Sequence, residues 1–181
     1  REQGSMIITE AFYDPCNQMI DARTCMGNMS ATYIFGTQGA EVEVDLETGK
    51  IKVLNFAAAH DVGRVINQQT IKGQIYGGIV QGLGYALCEE YKTDKGKNLN
   101  PNFLDYKIFT APDVDFPIHI ECIETNDQEG PFGAKGVGEP GLVPTAPAIA
   151  NAVYDAIGIR IKELPITPEK ILAALKNKQS D

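Results

Sequence analysis

The sequence predicts an α+β fold, with antiparallel hairpins packed against a long glycine-rich helix and two C-terminal helices. Three observations carry this. Residues 41–46, Glu-Val-Glu-Val-Asp-Leu, alternate polar and apolar as a half-buried antiparallel strand does, and Glu47-Thr48-Gly49-Lys50 is turn chemistry leading to a partner strand over 51–58. Residues 67–91 set Ile71, Ile75, Ile79, Leu83 and Leu87 at four-residue steps, which is one face of a helix. Helical spacing then returns near the end, at Ile149, Val153 and Ile157 and again at Ile171, Leu172 and Leu175. Hairpins and helices without strand–helix–strand alternation belong to the α+β class.

Taken in order, residues 6–12 read as a short strand, and 14–30, with Pro, Asn, Asp, Gly and two cysteines, as a loop. Residues 32–35 lead into the alternating strand. The segment 59–69, AHDVGRVINQQ, contains the pair His60-Asp61, which could serve a metal or a His–carboxylate couple, and metal-dependent hydrolysis is the reading that follows from it. Adjacent strand side chains point to opposite faces, however, and His60 and His119 are the chain's two histidines. No metal ligand is therefore assigned, and Asp61, Arg64 and Asn67 are expected to tie the strand end to the next helix.

Asn67 is a good N-cap for that helix, and Tyr76 and Val80 widen its apolar face. Gly73, Gly77, Gly78, Gly82 and Gly84 lie within it, and each interior glycine costs roughly 0.5–1 kcal/mol relative to alanine. Something must approach this helix too closely for side chains, either another backbone or a ligand. Gln74 and Gln81 are expected in the same tightly packed face, where each amide needs partners that a polar heterocycle could supply.

Residues 93–102 read as a polar loop, 103–112 as mixed, and 117–124 as a strand with Ile118, Ile120 and Cys122 on one face. A helix follows to about residue 156, with Thr145 as its cap, Pro147 in the first turn and Gly158 past its end. Residues 159–164 are a short extended piece. Thr167-Pro168-Glu169 starts the last helix, and the polar tail KNKQSD reads as a C-terminus.

Composition bounds the function. A chain of 181 residues with 43% apolar content can bury a core. A net charge of −8 argues against nucleic-acid binding. No apolar run is long enough for a membrane span. Cys16, Cys25, Cys88 and Cys122 form no CxxC pair, so neither a zinc ribbon nor an iron–sulfur cluster is expected, and the default setting is the reducing cytoplasm. The chain opens on Arg1, as a processed chain or a piece of a longer one would.

The most informative stretch is 129–150, EGPFGAKGVGEPGLVPTAPAIA, with five glycines, four prolines and, set between Gly138 and Pro140, the carboxylate Glu139. Pro140 holds Glu139 away from helical geometry, and a helix N-terminus follows. A carboxylate stiffened in this way is well placed for a general base. GVGEPG also fits GxGxxG, but no strand precedes it and Pro140 breaks the strand–turn–helix run that a dinucleotide site requires.

Three strings in fixed order, EVEVDLETGKIKVLNFAAAHDVGRVIN, GQIYGGIVQGLGYALCEE and GPFGAKGVGEPGLVPTAPAIANAV, closely resemble the C-terminal part of the molybdenum-binding subunit of the xanthine oxidase/xanthine dehydrogenase family, the molybdenum hydroxylases. The likeness covers nearly all of 7–175. It implies that 1–181 is a C-terminal portion of a molybdopterin-binding domain in a longer subunit. The cofactor implied is molybdenum–molybdopterin, with iron–sulfur clusters and FAD on other domains or subunits. By the same resemblance Glu139 is the general base of a hydroxylation, with water as the oxygen source. Gln74, in the GQxxG string, contacts the pterin, and Thr70 is a further candidate one turn earlier. Gly73 and Gly77 would let the flat cofactor come close. Ala134, Lys135, Gly136 and Gly138 line the molybdenum side, with Lys135 toward a pterin phosphate. Implied partners are the rest of the molybdenum subunit, iron–sulfur and flavin subunits, and a purine or aldehyde substrate. Because the family's other cofactor loops lie upstream, the isolated chain is expected to be inactive. The competing reading is a non-catalytic C-terminal module for folding or subunit contact.

Overall fold

The computed structural model describes residues 6–15 and 17–178. Cys16 and the end of the polar tail, 179–181, lie outside the described residues. The chain divides into two units, 1–33 and 34–181.

In the first unit, β1 (Gln18–Asp21) and β2 (Met26–Asn28) form a small antiparallel hairpin where a loop was expected. The strand expected at 6–12 is not formed. Ile7, Ile8 and Phe12 are exposed, and an extended segment without a ladder partner is not a strand.

The second unit is built on a three-stranded sheet whose strands lie in the order 36–44, 51–61, 118–123. β3 (Gly36–Val44) and β4 (Ile51–Asp61) are the predicted hairpin, longer at both open ends than the alternation suggested. Their register runs from Gly36 opposite His60 to Val44 opposite Ile51, with an irregularity at Glu41/Val42. β7 (Ile118–Ile123) is the predicted strand, but it pairs with β4 in parallel, from Phe56 opposite Ile118 to Asp61 opposite Ile123. The sheet is therefore mixed, and the segment between β4 and β7 is a crossover rather than a further hairpin.

That crossover contains α1 (Gln68–Leu87), whose first turn is capped as expected, the Asn67 side chain accepting from the Thr70 N–H at 3.0 Å. It ends earlier than about residue 91. Between α1 and β7, the stretch expected as a polar loop holds a minimal hairpin of β5 (Thr93–Asp94) and β6 (Lys97–Asn98). α2 (Thr145–Ile157) packs across β3 and against α1. It ends at Gly158, which takes the left-handed conformation (φ 66°) that glycine tolerates best. α3 (Pro168–Lys178) closes the chain. The core lies between sheet and helices and is filled by Phe56, Ile75, Ile79, Leu83, Ile149, Val153, Ile166 and Ile171. The α+β class stands. Among the described residues no helix is long and apolar enough to cross a membrane.

Candidate functional site

Four of the five glycines of α1 fall into two sets with different work. Gly78 and Gly82 face inward, where a Cβ on Gly78 would lie 2.8 Å from the Gly141 carbonyl carbon and one on Gly82 would run into the Thr145 side chain. These two let the 130–144 loop and α2 lie directly on the helix. Gly73 and Gly77 face the other way, and a Cβ on either would meet nothing within 4 Å. Together with Gln74, Gln81, Gly138, Glu139 and Leu142 they line an open cleft of about 370 Å³. Gln74 and Gln81 are exposed to this cleft, not buried in a packed face as expected. Packing among the described residues explains Gly78 and Gly82 but not Gly73 and Gly77.

Glu139 reaches the cleft rim on a loop tied down at both ends. Upstream, the loop is stitched to the end of β4: Lys135 N–H donates to the Val62 carbonyl (2.9 Å), and Asn126 N–H to the Gly63 carbonyl (2.7 Å). Gly63 has φ 68° and lies directly against the Gly133 carbonyl, so a side chain there would be both strained and without room. Lys135 Nζ sits 2.6 Å from Asp61 Oδ2, with the two side chains only 8% and 7% exposed. Burial alone would raise the Asp61 pKa. The hydrogen bond from Lys135, with those from the Gly63 N–H and the Thr125 hydroxyl, overrides it and holds the carboxyl below its usual range.

Downstream, the anchor is a buried polar network. Gln38 Nε2 donates to the Gly141 carbonyl (2.7 Å) and lies 3.2 Å from His60 Nε2, while Gln38 Oε1 accepts from the Thr145 hydroxyl (2.6 Å). An amide nitrogen can only donate, so His60 Nε2 accepts and the ring is neutral, in keeping with a pKa lowered by burial. The Glu139 carbonyl itself accepts from the Leu142 (2.9 Å) and Val143 (3.3 Å) N–H groups, which closes the turn.

The structure thus brings together Glu139, Gln74, Gly73, Gly77, Gln81 and Gly138 of the residues that the sequence singled out, and adds Leu142. Gln74 Nε2 donates to the Gly138 carbonyl at 2.9 Å, joining the two stretches directly. Thr70 lies on the same exposed face of α1 one turn away, outside the cleft lining, as do Ala134 and Gly136 in the loop. Lys135 has another task than the phosphate contact expected of it, because its ammonium is buried against Asp61. Thr145 is not the cap of α2 but its first residue, its hydroxyl turned to Gln38. His60 and Asp61 point into separate environments, and among the described residues no group of three or more His, Cys, Asp or Glu could hold a metal ion. The sequence reading missed Gln38. Its signal was there: a glutamine on the inward phase of β3, in register with Ala40, Val42 and Val44, which pack on the core.

Comparison with known proteins is consistent with this geometry. Residues 2–115 match the family model for the molybdopterin cofactor-binding domain. The chain is 38% identical over 152 residues to the 6-hydroxypseudooxynicotine dehydrogenase complex subunit gamma of Paenarthrobacter nicotinovorans, covering 81% of this chain and 19% of that one. It is 34% identical over 165 residues to the putative xanthine dehydrogenase molybdenum-binding subunit of Escherichia coli (strain K12), covering 90% and 22%. Among solved structures, the aldehyde oxidoreductase of Desulfovibrio gigas superposes with a TM-score of 0.82 at 37% identity, over 88% of this chain and 17% of that one. The chain spans about a fifth of the length of these relatives.

Proposed function

The chain belongs to the molybdopterin cofactor-binding domain family, and from that premise we propose that residues 1–181 form the C-terminal portion of the cofactor-binding domain of a molybdenum hydroxylase, xanthine dehydrogenase-like in its chemistry. The observation that carries this reading is the cleft, in which two glycines that no packing among the described residues requires lie beside two exposed carboxamides and one carboxylate. A cradle of this kind fits a flat, polar, fused-ring group. Its volume of about 370 Å³ lies in the range of small-molecule sites.

When bound, molybdopterin with its molybdenum supplies the oxidising power for hydroxylation with water as the oxygen source. Gly73, Gly77 and Gly138 admit its plane. Gln74, which spends one N–H on Gly138, offers its second N–H and its carbonyl oxygen, and Gln81 offers another carboxamide. Thr70 and the backbone of 134–136 flank this wall. Glu139 acts as the general base, its carboxylate accepting the proton released as oxygen joins the substrate carbon. That carbon belongs to a heterocycle, with purines first, or to an aldehyde. Support comes from the names of relatives, which include xanthine dehydrogenase, nicotine 6-hydroxylase and aldehyde oxidoreductase. The remainder of the subunit completes the site, and iron–sulfur and flavin partners in the cytoplasm carry electrons away. Relatives named as a complex subunit gamma and a large subunit support the multi-subunit form.

Two results test this. The isolated chain should show no hydroxylation of purines or aldehydes, whereas the complete enzyme should co-fractionate with molybdenum and iron. Activity in the isolated chain would overturn the division of labour. Second, Gly73→Leu/Gly77→Leu should fold at least as well as the parent, since a Cβ at either site would meet nothing within 4 Å among the described residues beyond the helix itself, and leucine is the better helix former by roughly 0.5–1 kcal/mol at each. The same variant of the complete enzyme should lose most of its molybdenum. Undiminished metal content would remove the cleft from the cofactor site.

A further inference from the structure

The Glu139 carboxylate makes no hydrogen bond or ion pair with any described residue, so its position is set through the backbone that carries it. The turn at 139–143 closes on itself through the Glu139 carbonyl, but a closed turn must still be placed against the cleft. Two carboxamides place it, one on each side of the residue. Gln74 grips the Gly138 carbonyl from the cleft, and Gln38 grips the Gly141 carbonyl from the interior, 103 positions away in the sequence.

Resting on the reading of Glu139 as base, we propose that Gln38 is a positioning residue for Glu139, acting through the Gly141 carbonyl and itself held by Thr145. Its own surroundings argue for this. Gln38 sits half-buried on the inward face of β3, where a carboxamide costs stability unless its hydrogen bonds are made. Both of its N–H donors and its carbonyl oxygen are engaged, by the Gly141 carbonyl, His60 Nε2 and the Thr145 hydroxyl. An apolar side chain at this position would continue the Ala40–Val42–Val44 face, so the polar group is explained by what it grips. Thr145 is fully buried and pressed against Gly82, so β3, α1 and the start of α2 meet at this network. β3 is referenced to the sheet along its whole length, and Gln38 transfers that reference to the turn. A catalytic group moved by about 1 Å can lose rate by on the order of 100-fold.

The test uses the complete, cofactor-loaded enzyme with Gln38→Leu, Thr145→Val, Thr145→Ser, Glu139→Gln and the double variant Gln38→Leu/Glu139→Gln. Gln38→Leu should lower kcat by on the order of 10- to 100-fold with KM little changed and molybdenum content intact. Hydrogen exchange should quicken in peptides spanning 138–146 and stay unchanged in β3 and β4. Thr145→Val should behave likewise and Thr145→Ser like the parent, and this near-isosteric pair decides the matter should Gln38→Leu fail to accumulate. In the Glu139→Gln background, Gln38→Leu should add no further loss, because it acts through the group already removed. A parental kcat in Gln38→Leu or Thr145→Val beside an inactive Glu139→Gln overturns the positioning role alone, as does a fully additive double variant. Normal turnover by Glu139→Gln overturns the base reading, and the role of Gln38 with it.

Discussion

Glu139→Gln in the complete enzyme is expected to lower kcat by on the order of 100- to 10,000-fold while leaving molybdenum content and thermal stability where they were. The substitution keeps the size and shape of the side chain and removes only its capacity to take a proton. Nothing in the fold leans on the carboxylate. It is exposed and makes no hydrogen bond within the described chain, and the turn beneath it is held by the Glu139, Gly138 and Gly141 carbonyls, which the variant retains. A loss of rate therefore cannot be ascribed to a collapsed loop. Binding should be little disturbed, so the loss belongs in kcat and not in KM. Turnover within a few-fold of the parent would return Glu139 to the role of a loop residue and the chain to that of a folding or subunit-contact module.

Much of this site was legible before any coordinates, for a physical reason. Local rules governed it: an asparagine cap three residues before the Thr70 amide, apolar residues at helical steps through α1, and glycine and proline flanking one carboxylate. What was not legible depended on partners distant in sequence. Alternation in 117–124 announced a strand but could not give its direction, because parallel and antiparallel neighbours demand the same inward face. The glycines of α1 announced close approach but not of what. Only the structure separates Gly78 and Gly82, which meet backbone and Thr145, from Gly73 and Gly77, which meet nothing. Gln81 looked like a buried amide because a glycine-rich face suggests tight packing, and it proved to be exposed on an open cleft. The 6–12 segment has strand composition but no ladder, since propensity without an edge to pair with forms no sheet. The resemblance pointed Lys135 toward a phosphate, and nothing local reveals that Asp61, 74 positions upstream, has claimed it.

That last pairing gives the largest expected change in stability. Lys135→Met should destabilise the chain by about 3–5 kcal/mol at neutral pH, the cost typical of leaving one member of a buried ion pair without its partner. Against a net stability of roughly 5–15 kcal/mol for a domain, this is severe. Methionine fills the space of the lysine stem, so the loss is electrostatic and leaves no void. Asp61 would keep the Gly63 N–H and the Thr125 hydroxyl but lose the Lys135 contact, the strongest of those that together offset its desolvation. The pH dependence has a definite sign. The folded-state pKa of Asp61 is depressed, so the pair's contribution is fully present above the unfolded carboxylate value of about 3.9 and is lost as pH falls through the folded value. The gap between parent and Lys135→Met should therefore be widest near neutrality and should narrow below about pH 4. Replacing both partners, as Asp61→Asn/Lys135→Met, should recover part of the loss, since the Asp61 charge is then no longer buried without its partner. Thermal unfolding of the three proteins at pH 7 and pH 4 measures all of this, and equal melting temperatures at pH 7 would show that the pair is dispensable. The consequence for function follows from sequence distance. Lys135 stands four residues before Glu139, and its contact with Asp61 pins the upstream end of the Glu139 loop to β4 as Gln38 pins the downstream end to β3. Conditions that loosen the ion pair should therefore show first as mobility around Glu139, before the sheet itself gives way.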